Sequence, residues 1–223
     1  MVYRTLGEIR AILQARLGMG AMGTSGANQA LLNSFITNGQ AQLYWAQDWR
    51  HLTDYDDKSL GVGQNLIDYP TAGVMTSRGC SRDKRVLRLE YPDSGSGQYL
   101  KLREGITTDM WSTMDTQSWP SRFERFAQIL ISPKANAVYT VRVWFVSDLG
   151  AFSADGDRAT LDDEMVLLHA LTNAKAHYRQ PDAPTYQGQL DALLSSLRGQ
   201  SFTSDGVVRR SEPFEVERKP VVI

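Results

Sequence analysis

The sequence predicts an α+β protein in which helices from both ends of the chain form one bundle and an antiparallel β region is inserted between them. Apolar residues recur at helical spacing in Asn28–Trp49 and again after Thr160, which indicates helices at both ends. Between them, apolar and polar residues alternate in Val138–Val146, the period of a half-buried strand. The predicted parts of the chain are a helical domain in two pieces (1–53 and 155–199), an inserted β domain (54–154) and an extended C-terminal arm (200–223).

The composition bounds the class of protein. The chain has 223 residues, and 42% of them are hydrophobic, which is enough for a substantial core. The formal net charge of -1 argues against a protein that is held to nucleic acid mainly by its own positive charge. Cys80 is the only cysteine, which excludes an intrachain disulfide and a multi-cysteine zinc site. Because we find no signal peptide and no apolar run that could span a bilayer, we expect a soluble protein from a reducing compartment, with no membrane partner.

The first predicted helix spans Thr5–Leu17. Thr5 and Glu8 have the spacing of a capping box, in which each side chain bonds the other residue's backbone N–H. Gly18 follows directly and is expected to end the helix.

The second predicted helix, Asn28–Trp49, is long and amphipathic. Trp45 and Trp49 lie one turn apart near its end, where two aromatic rings can anchor the helix against another layer. We expect the helices from the C-terminal half to cover its apolar stripe. The stripe consists of Leu32, Phe35, Ile36, Gly39, Leu43 and Ala46.

The β region is predicted between Leu60 and Val146. Its clearest feature is a hairpin in which Arg122–Ser132 and Val138–Val146 flank the loop SPKANA. Thr107–Ser121 is interpreted as a long polar connection. The other candidate strands are Val62–Tyr69, Lys84–Tyr91 and Gln98–Arg103.

Helical spacing returns at Thr160, where Thr160 and Asp163 indicate a helix start with acid in the first turn. The apolar residues that follow occupy a wide arc, which predicts burial on two sides. After the break QPDAP, Pro184 suits the first turn of a last helix, and Gly199 is expected to end it.

The final segment, Gln200–Ile223, has two prolines and mixed charge. Its apolar residues are too many for a solvating tail and too dispersed for a core of their own. We therefore expect an extended element that orders against a partner, by adding a strand or by filling pockets with alternate side chains. The predicted partner-interface residues are Phe202, Val207, Val208, Phe214, Val216, Val221, Val222 and Ile223.

No complete catalytic or metal-binding motif is found. His169, Asn173 and His177 lie four residues apart on one helical face, but a third strong ligand is missing, so a polar contact is favoured. Asp155 and Asp157 resemble the start of a calcium loop whose spacing then fails, which favours a turn. We predict no catalytic, cofactor-binding or metal-binding residues. A small metal-dependent enzyme built on the two histidines and two aspartates is the alternative from another class.

Three further patterns have both a functional and a structural interpretation. The glycines of G-x-G-x-x-G follow a helix rather than a strand, so a loop is favoured over a dinucleotide site; they are Gly18, Gly20 and Gly23. A basic run could bind phosphate or an acidic partner, although the outward face of one strand and its loop is favoured; it comprises Arg78, Arg82, Lys84, Arg85 and Arg88. A solvated acidic loop is expected at Asp54, Asp56 and Asp57.

A series of short motifs follows the predicted elements in order along the chain. They are Leu31–Ile36, Gln40–Tyr44 with Trp45 and Trp49, Gly63–Pro70, Pro120–Phe123, Ile129–Pro133, Tyr139–Val143 and Asp163–Leu171. In this order they resemble motifs of the head-to-tail adaptor (connector) proteins of tailed bacteriophages, which form a ring beneath the portal. The resemblance runs from about Thr5 to Arg198, and its specificity lies in the order of the motifs.

This resemblance implies a virion structural protein without catalysis, assembled as a twelve-fold ring around the DNA channel. The implied partners are further copies of the chain, the portal protein, a tail or nozzle protein, and genomic DNA in transient contact. The implied location is the neck between capsid and tail, after synthesis in the host cytoplasm. Another neck ring, such as a stopper or a tail-completion protein, is the nearest alternative.

Overall fold

The structure, a computed structural model, describes residues 3–19, 26–80, 85–93, 97–107, 110 and 115–209, with side chains described up to residue 197. It is an α+β protein, as predicted. The chain divides into two compact units, Met1–Ala46 with Gly150–Ile223 and Gln47–Leu149. We name them the helical unit and the β unit.

The helical unit is built around its third helix. Its helices are α1 (Leu6–Leu17), α2 (Gly26–Ala46), α3 (Asp163–His177) and α4 (Ala183–Arg209). Helix α3 packs against each of the other three, which confirms the predicted burial on more than one side. Asp162 rather than Thr160 caps its start, accepting hydrogen bonds from the backbone N–H groups of Glu164 and Met165.

Local sequence fixes α1 as predicted. The backbone N–H of Glu8 donates to Thr5 Oγ1 at 3.3 Å, and the backbone N–H of Thr5 donates to Glu8 Oε2 at 2.8 Å. These two bonds complete the capping box. Gly18 ends the helix with φ 70°, a left-handed conformation in which glycine is unstrained.

The stripe predicted for α2 is confirmed in part. Leu32, Ile36, Gly39 and Leu43 are buried. Phe35 is only half-buried, with its ring 5.6 Å from that of His177, so its expected place in the core is wrong. Ala46, the last residue of the predicted stripe, is exposed. The helix ends at Ala46 and not at Trp49 as predicted.

Helix α4 differs from its prediction at the C-terminal end. It continues through Gly199 to Arg209, so the expected stop at Gly199 is wrong. An interior glycine costs a helix only about 1 kcal/mol relative to alanine, which the further helical residues up to Arg209 can offset. The first ten residues assigned to an extended arm, 200–209, are therefore helical.

The β unit contains ten short strands in its described part. In chain order they are β1 (Thr53–Leu60), β2 (Leu66–Ile67), β3 (Val86–Pro92), β4 (Tyr99–Lys101), β5 (Arg103–Glu104), β6 (Gln117–Ser118), β7 (Arg122–Arg125), β8 (Ile129–Ser132), β9 (Lys134–Ala135) and β10 (Tyr139–Val146). The first sheet has the order β1-β10-β3-β4, and the second has the order β2-β8-β7-β5. Strands β6 and β9 form a parallel pair, and β5 is parallel to β7, so the predicted region is not purely antiparallel.

Two predictions for the β unit are wrong. The expected hairpin between Arg122–Ser132 and Val138–Val146 does not form, because β7 and β8 pair with each other while β10 lies between β1 and β3. The expected acidic loop is strand β1, which pairs along its whole length with β10. In addition, the strand predicted at Val62–Tyr69 is reduced to β2, and the connection Thr107–Ser121 contains β6.

The alternation predicted for β10 is confirmed. Val141, Val143 and Phe145 are fully buried and belong to a core shared by both sheets of this unit. The opposite side of the first sheet carries Arg142 and Trp144, which are half-buried. We name that side the outer face.

Candidate interaction surfaces

A buried carboxylate organises the loop that joins β2 to β3. Asp54 on β1 is fully buried. Its oxygens accept hydrogen bonds from the backbone N–H groups of Tyr55 (2.8 Å), Met75 (2.9 Å) and Thr76 (2.7 Å), and from the Thr76 hydroxyl (2.6 Å). Because the Thr76 proton is directed at Asp54, the Ser147 hydroxyl, 2.7 Å away, donates to Thr76 Oγ1. The loop is therefore pinned to β1 and to the end of β10.

The electrostatics of Asp54 follow from this geometry. Burial acts to raise the pKa of the carboxyl group, because it penalises the charged form. The hydrogen bonds from Thr76, Met75 and Tyr55 outweigh that effect and hold the pKa of Asp54 below its ordinary value. The carboxylate is charged at neutral pH, and its charge is compensated by hydrogen-bond donors.

Two glycines let the loop pack closely. A Cβ atom at Gly73 would overlap the Asp54 carboxylate, and one at Gly79 would lie 2.5 Å from the carbonyl oxygen of Pro70. The loop is closed where the backbone N–H of Cys80 donates to that same carbonyl at 2.8 Å. We name residues 70–80 the Asp54 loop.

The tip of the Asp54 loop is apolar and exposed. Val74 and Met75 are each 61% exposed. The tip sequence TAGVMTS carries no charge. A rigid segment that holds two large apolar side chains in solvent is typical of an interaction site, because little conformational entropy is lost when it docks.

The outer face of the first sheet carries a network of arginine and aromatic side chains. The Arg142 guanidinium lies 4.2 Å from the centre of the Tyr55 ring and 4.5 Å from that of Tyr99. It also donates two hydrogen bonds of 2.8 Å to the Asp57 carboxylate, which raises the pKa of Arg142. The Arg142 guanidinium is thus held between two aromatic rings and one carboxylate.

The same network continues across β3. Arg88 lies 4.7 Å from the centre of the Trp144 ring, and its Nε is 2.8 Å from Glu90 Oε1. The Trp144 indole N–H donates to Glu90 Oε2 at 2.9 Å. Because its arginines already have carboxylate partners, this face fits a protein surface better than a phosphate backbone.

A third apolar surface lies where β6 meets β9. The backbone N–H of Gly63 donates to the carbonyl of Ala135 at 2.7 Å, and that of Asn136 donates to the carbonyl of Ser118 at 3.2 Å. These bonds hold three chain segments together, and each carries one exposed apolar residue. The residues of this patch are Val62, Trp119 and Val138.

The described members of the basic run do not share one exposed face. Arg85 is buried, and its Nη1 donates to Asp48 Oδ1 at 2.9 Å. Arg88 belongs to the outer-face network, and Arg78 lies in the Asp54 loop. The favoured interpretation as the outward face of one strand is therefore wrong for Arg85. Arg82 and Lys84 lie outside the described residues.

The histidines of α3 have structural partners. His169 Nδ1 is 3.1 Å from Asn173 Nδ2, and burial lowers the pKa of His169. The His177 ring packs against Phe35 and Tyr178. In the part of the chain that the structure describes, no three His, Cys, Asp or Glu residues are grouped so that they could hold a metal ion.

The two aspartates of the expected turn bind neighbouring segments. Asp155 accepts two hydrogen bonds from the Arg10 guanidinium, at 2.9 and 2.6 Å. Asp157 Oδ2 accepts from the backbone N–H groups of Ser153 and Ala154, both at 2.6 Å. A turn tied to α1 thus accounts for both carboxylates.

The predicted partner-interface residues fall into two groups. Phe202, Val207 and Val208 lie on the helical backbone of α4. The others lie outside the described residues and are Phe214, Val216, Val221, Val222 and Ile223. Their role stays a prediction.

The model of the SU10 adaptor protein family matches residues 4–212, which is nearly the whole chain. The chain belongs to the SU10 adaptor protein family. It is accordingly a structural adaptor protein of phage virions, a class that contacts portal and tail proteins at the virion neck. The sequence resemblance to phage adaptors is confirmed at this level. No curated protein sequence matches the chain.

For an SU10 adaptor, the informative surfaces are those that could meet another ring. The sequence alone does not indicate the Asp54 loop, because Asp54, Asp56 and Asp57 together predict a solvated acidic segment. The one available signal was the uncharged stretch TAGVMTS between Asp68 and Arg78. No helix among the described residues is long and apolar enough to cross a membrane.

Proposed function

We propose that this SU10 adaptor assembles as a twelve-fold ring that joins the portal vertex to the tail and continues the DNA channel. The observation that carries the proposal is the family match over residues 4–212, which spans both compact units of the chain. The number of copies and the position beneath the portal come from the resemblance to head-to-tail adaptors.

The exposed surfaces support the proposal that this protein is surrounded by partner subunits. A ring subunit needs contacts with two neighbours and with the rings on either side. The chain offers the apolar tip of the Asp54 loop, the arginine–aromatic outer face and the patch around Trp119. We assign these surfaces to contacts with further copies, with the portal protein and with a tail or nozzle protein.

Contact with DNA is transient in this proposal. The formal net charge is -1, and on the outer face Arg142 and Arg88 are engaged by Asp57 and Glu90. Tight duplex binding would require several free cations along one surface. A channel of this kind lets the genome slide past.

The C-terminal segment contributes to attachment. Beyond α4, residues 210–223 contain five of the apolar residues predicted to meet a partner, among them Phe214 and Ile223. Ordering such a segment costs about 1–2 kcal/mol per residue in backbone entropy, so it needs substantial contact. We place that contact on a neighbouring copy or on the portal.

Particles made in infected cells without this chain test the proposal. We expect heads that contain DNA but carry no attached tail, and attachment restored when the chain is supplied from a plasmid. Complete tailed particles in the absence of the chain would overturn the proposed function.

A further inference from the structure

Strand β4 (Tyr99–Lys101) is the last strand of the first sheet, and it is short and exposed. All three of its residues are exposed, and no described residue pairs with its outer edge. An exposed sheet edge is a template for an added strand, because its outward N–H and C=O groups lack a partner strand.

The opposite edge of the same sheet is protected. The backbone N–H of Val74 donates to the carbonyl of Tyr55 on β1 at 3.0 Å, so the Asp54 loop covers that edge. Asp56 and Lys58 form an ion pair of 2.8 Å on the side of β1 that faces the core. Inward-pointing charges and covering loops are the usual means of blocking strand addition. Among the described residues, β4 has neither.

The two sides of β4 differ in chemistry. Leu100 is paired with Tyr91, at the margin of the core, and is 41% exposed. Lys101 is paired with Glu90 on the outer face, where the Tyr99 ring also contacts Arg142. An added strand would therefore meet an apolar side chain on one side and a cation on the other.

The C-terminal sequence has the complementary pattern. Pro213 and Pro220 bound the stretch FEVERK, in which Phe214 and Val216 alternate with glutamates. Proline is tolerated at the ends of an added strand but not within it. The length of six residues suits a short edge strand.

We propose that residues 214–219 of a neighbouring copy add to β4 as a fifth strand of the first sheet. With Val216 opposite Leu100, the apolar side of the added strand covers the margin of the core. Glu215 and Glu217 then lie opposite Tyr99 and Lys101 on the outer face, in either strand direction. The inference rests on the proposed ring, which brings neighbouring copies together.

Cross-linking between two variants of the full chain tests this contact. In a background with the buried Cys80 replaced by alanine, one variant carries Leu100→Cys and the other Val216→Cys. The two are mixed, assembled with the portal ring and treated with a short bismaleimide. We expect a covalent dimer of the two chains. The matched control, Ser211→Cys in place of Val216→Cys, lies outside the alternating stretch and should give at least fivefold less product.

A charge exchange tests the register. Lys101→Glu, and separately Glu215→Lys with Glu217→Lys, should each lower the cross-link yield about fivefold, because like charges then lie opposite each other. Combining them should restore the yield. Glu212→Lys, which makes the same change of charge before Pro213, should leave it unaltered.

The outcomes separate this inference from the proposed function. If rings form on the portal but Leu100→Cys and Val216→Cys chains do not cross-link, strand addition to β4 is wrong while the ring stands. If the charge-reversed variants cross-link as well as the parent, the inference is also overturned. If no ring forms on the portal with the unaltered chain, the proposed function itself fails.

Discussion

The carboxylate of Asp54 accepts hydrogen bonds from both the backbone N–H and the side-chain hydroxyl of Thr76, at 2.7 and 2.6 Å. The two residues are separated by 22 positions, so this contact ties strand β1 to the tip of the Asp54 loop. One buried carboxylate therefore fixes the conformation of the exposed apolar tip of this loop.

Asp54→Asn should loosen the Asp54 loop. The asparagine amide brings a donor to a site whose partners are all donors, so at least one bond to a charged acceptor is lost. We expect the free energy of unfolding to fall by about 2–3 kcal/mol. Faster hydrogen exchange at the Met75 and Thr76 amides should accompany it. Asp56→Asn, on the same strand but in a partly exposed ion pair with Lys58, is the control and should cost under about 1 kcal/mol. Equal effects of the two changes would contradict the assigned role of Asp54.

The contribution of Asp54 should depend on pH. The pKa of its carboxyl group is lower in the folded protein than in the unfolded chain, so the folded state is stabilised when the group is charged. That stabilisation is complete above the unfolded pKa of about 4 and is lost as the pH falls through the lower, folded pKa. Urea unfolding of the wild type and Asp54→Asn from neutral pH to pH 3 measures it. Their difference should shrink in acid; a difference that grows there would contradict the account.

Helix α1 shows what sequence can predict by itself. Its capping box and its glycine end depend on residues within a turn of each other, and both are observed. The alternation in β10 is also local, and it correctly separates the buried from the outward side chains. Where adjacent residues determine the structure, the pattern is sufficient.

The failures in the β unit concern contacts between distant residues. Strand β10 pairs with β1 and β3 rather than with its neighbour in sequence, and no local pattern encodes that choice. The sequence predicts Asp54 in solvent because aspartate is rarely buried, and three of its four hydrogen-bond donors come from the distant residues 75 and 76. Gln40 is similar: it is buried because its side chain bonds the backbone of Gly150 and Thr160. The periodicity of apolar residues therefore cannot predict the Asp54 loop.

Two glycine substitutions should separate helix propensity from helix packing. A Cβ atom at Gly39 on α2 would lie 3.1 Å from Nδ1 of His169, whose ring is held by Asn173. At Gly188 on α4 a Cβ atom meets nothing within 4 Å. Gly188→Ala should therefore stabilise the protein by up to about 1 kcal/mol. Gly39→Ala should instead destabilise it by about 1 kcal/mol, because the overpacking exceeds the propensity gain. Thermal unfolding of both variants measures the two changes in stability. Equal stabilisation would show that His169 can move aside.

Deleting residues 210–223 should leave the fold intact and weaken attachment. The cut falls after α4, whereas a cut after Gly199 would remove ten helical residues as well. We expect an unchanged far-ultraviolet circular dichroism spectrum apart from the lost segment, and loss of stable binding to the portal ring. A full-length variant in which only Phe214 and Val216 become serine should lose binding to the portal ring in the same way. It shows that the apolar side chains, rather than the length of the chain, are responsible. Normal assembly by the truncated chain would contradict the role given to the C-terminal segment.

The mass of the complex formed with a purified portal ring tests the central claim most directly. Native mass spectrometry of the chain alone and of the chain with the portal ring gives the number of copies bound. The account predicts that a dodecamer is added to each portal ring, in a single defined stoichiometry. A chain that adds no mass to the portal ring, or that binds it in variable numbers, would contradict the assignment as a head-to-tail adaptor.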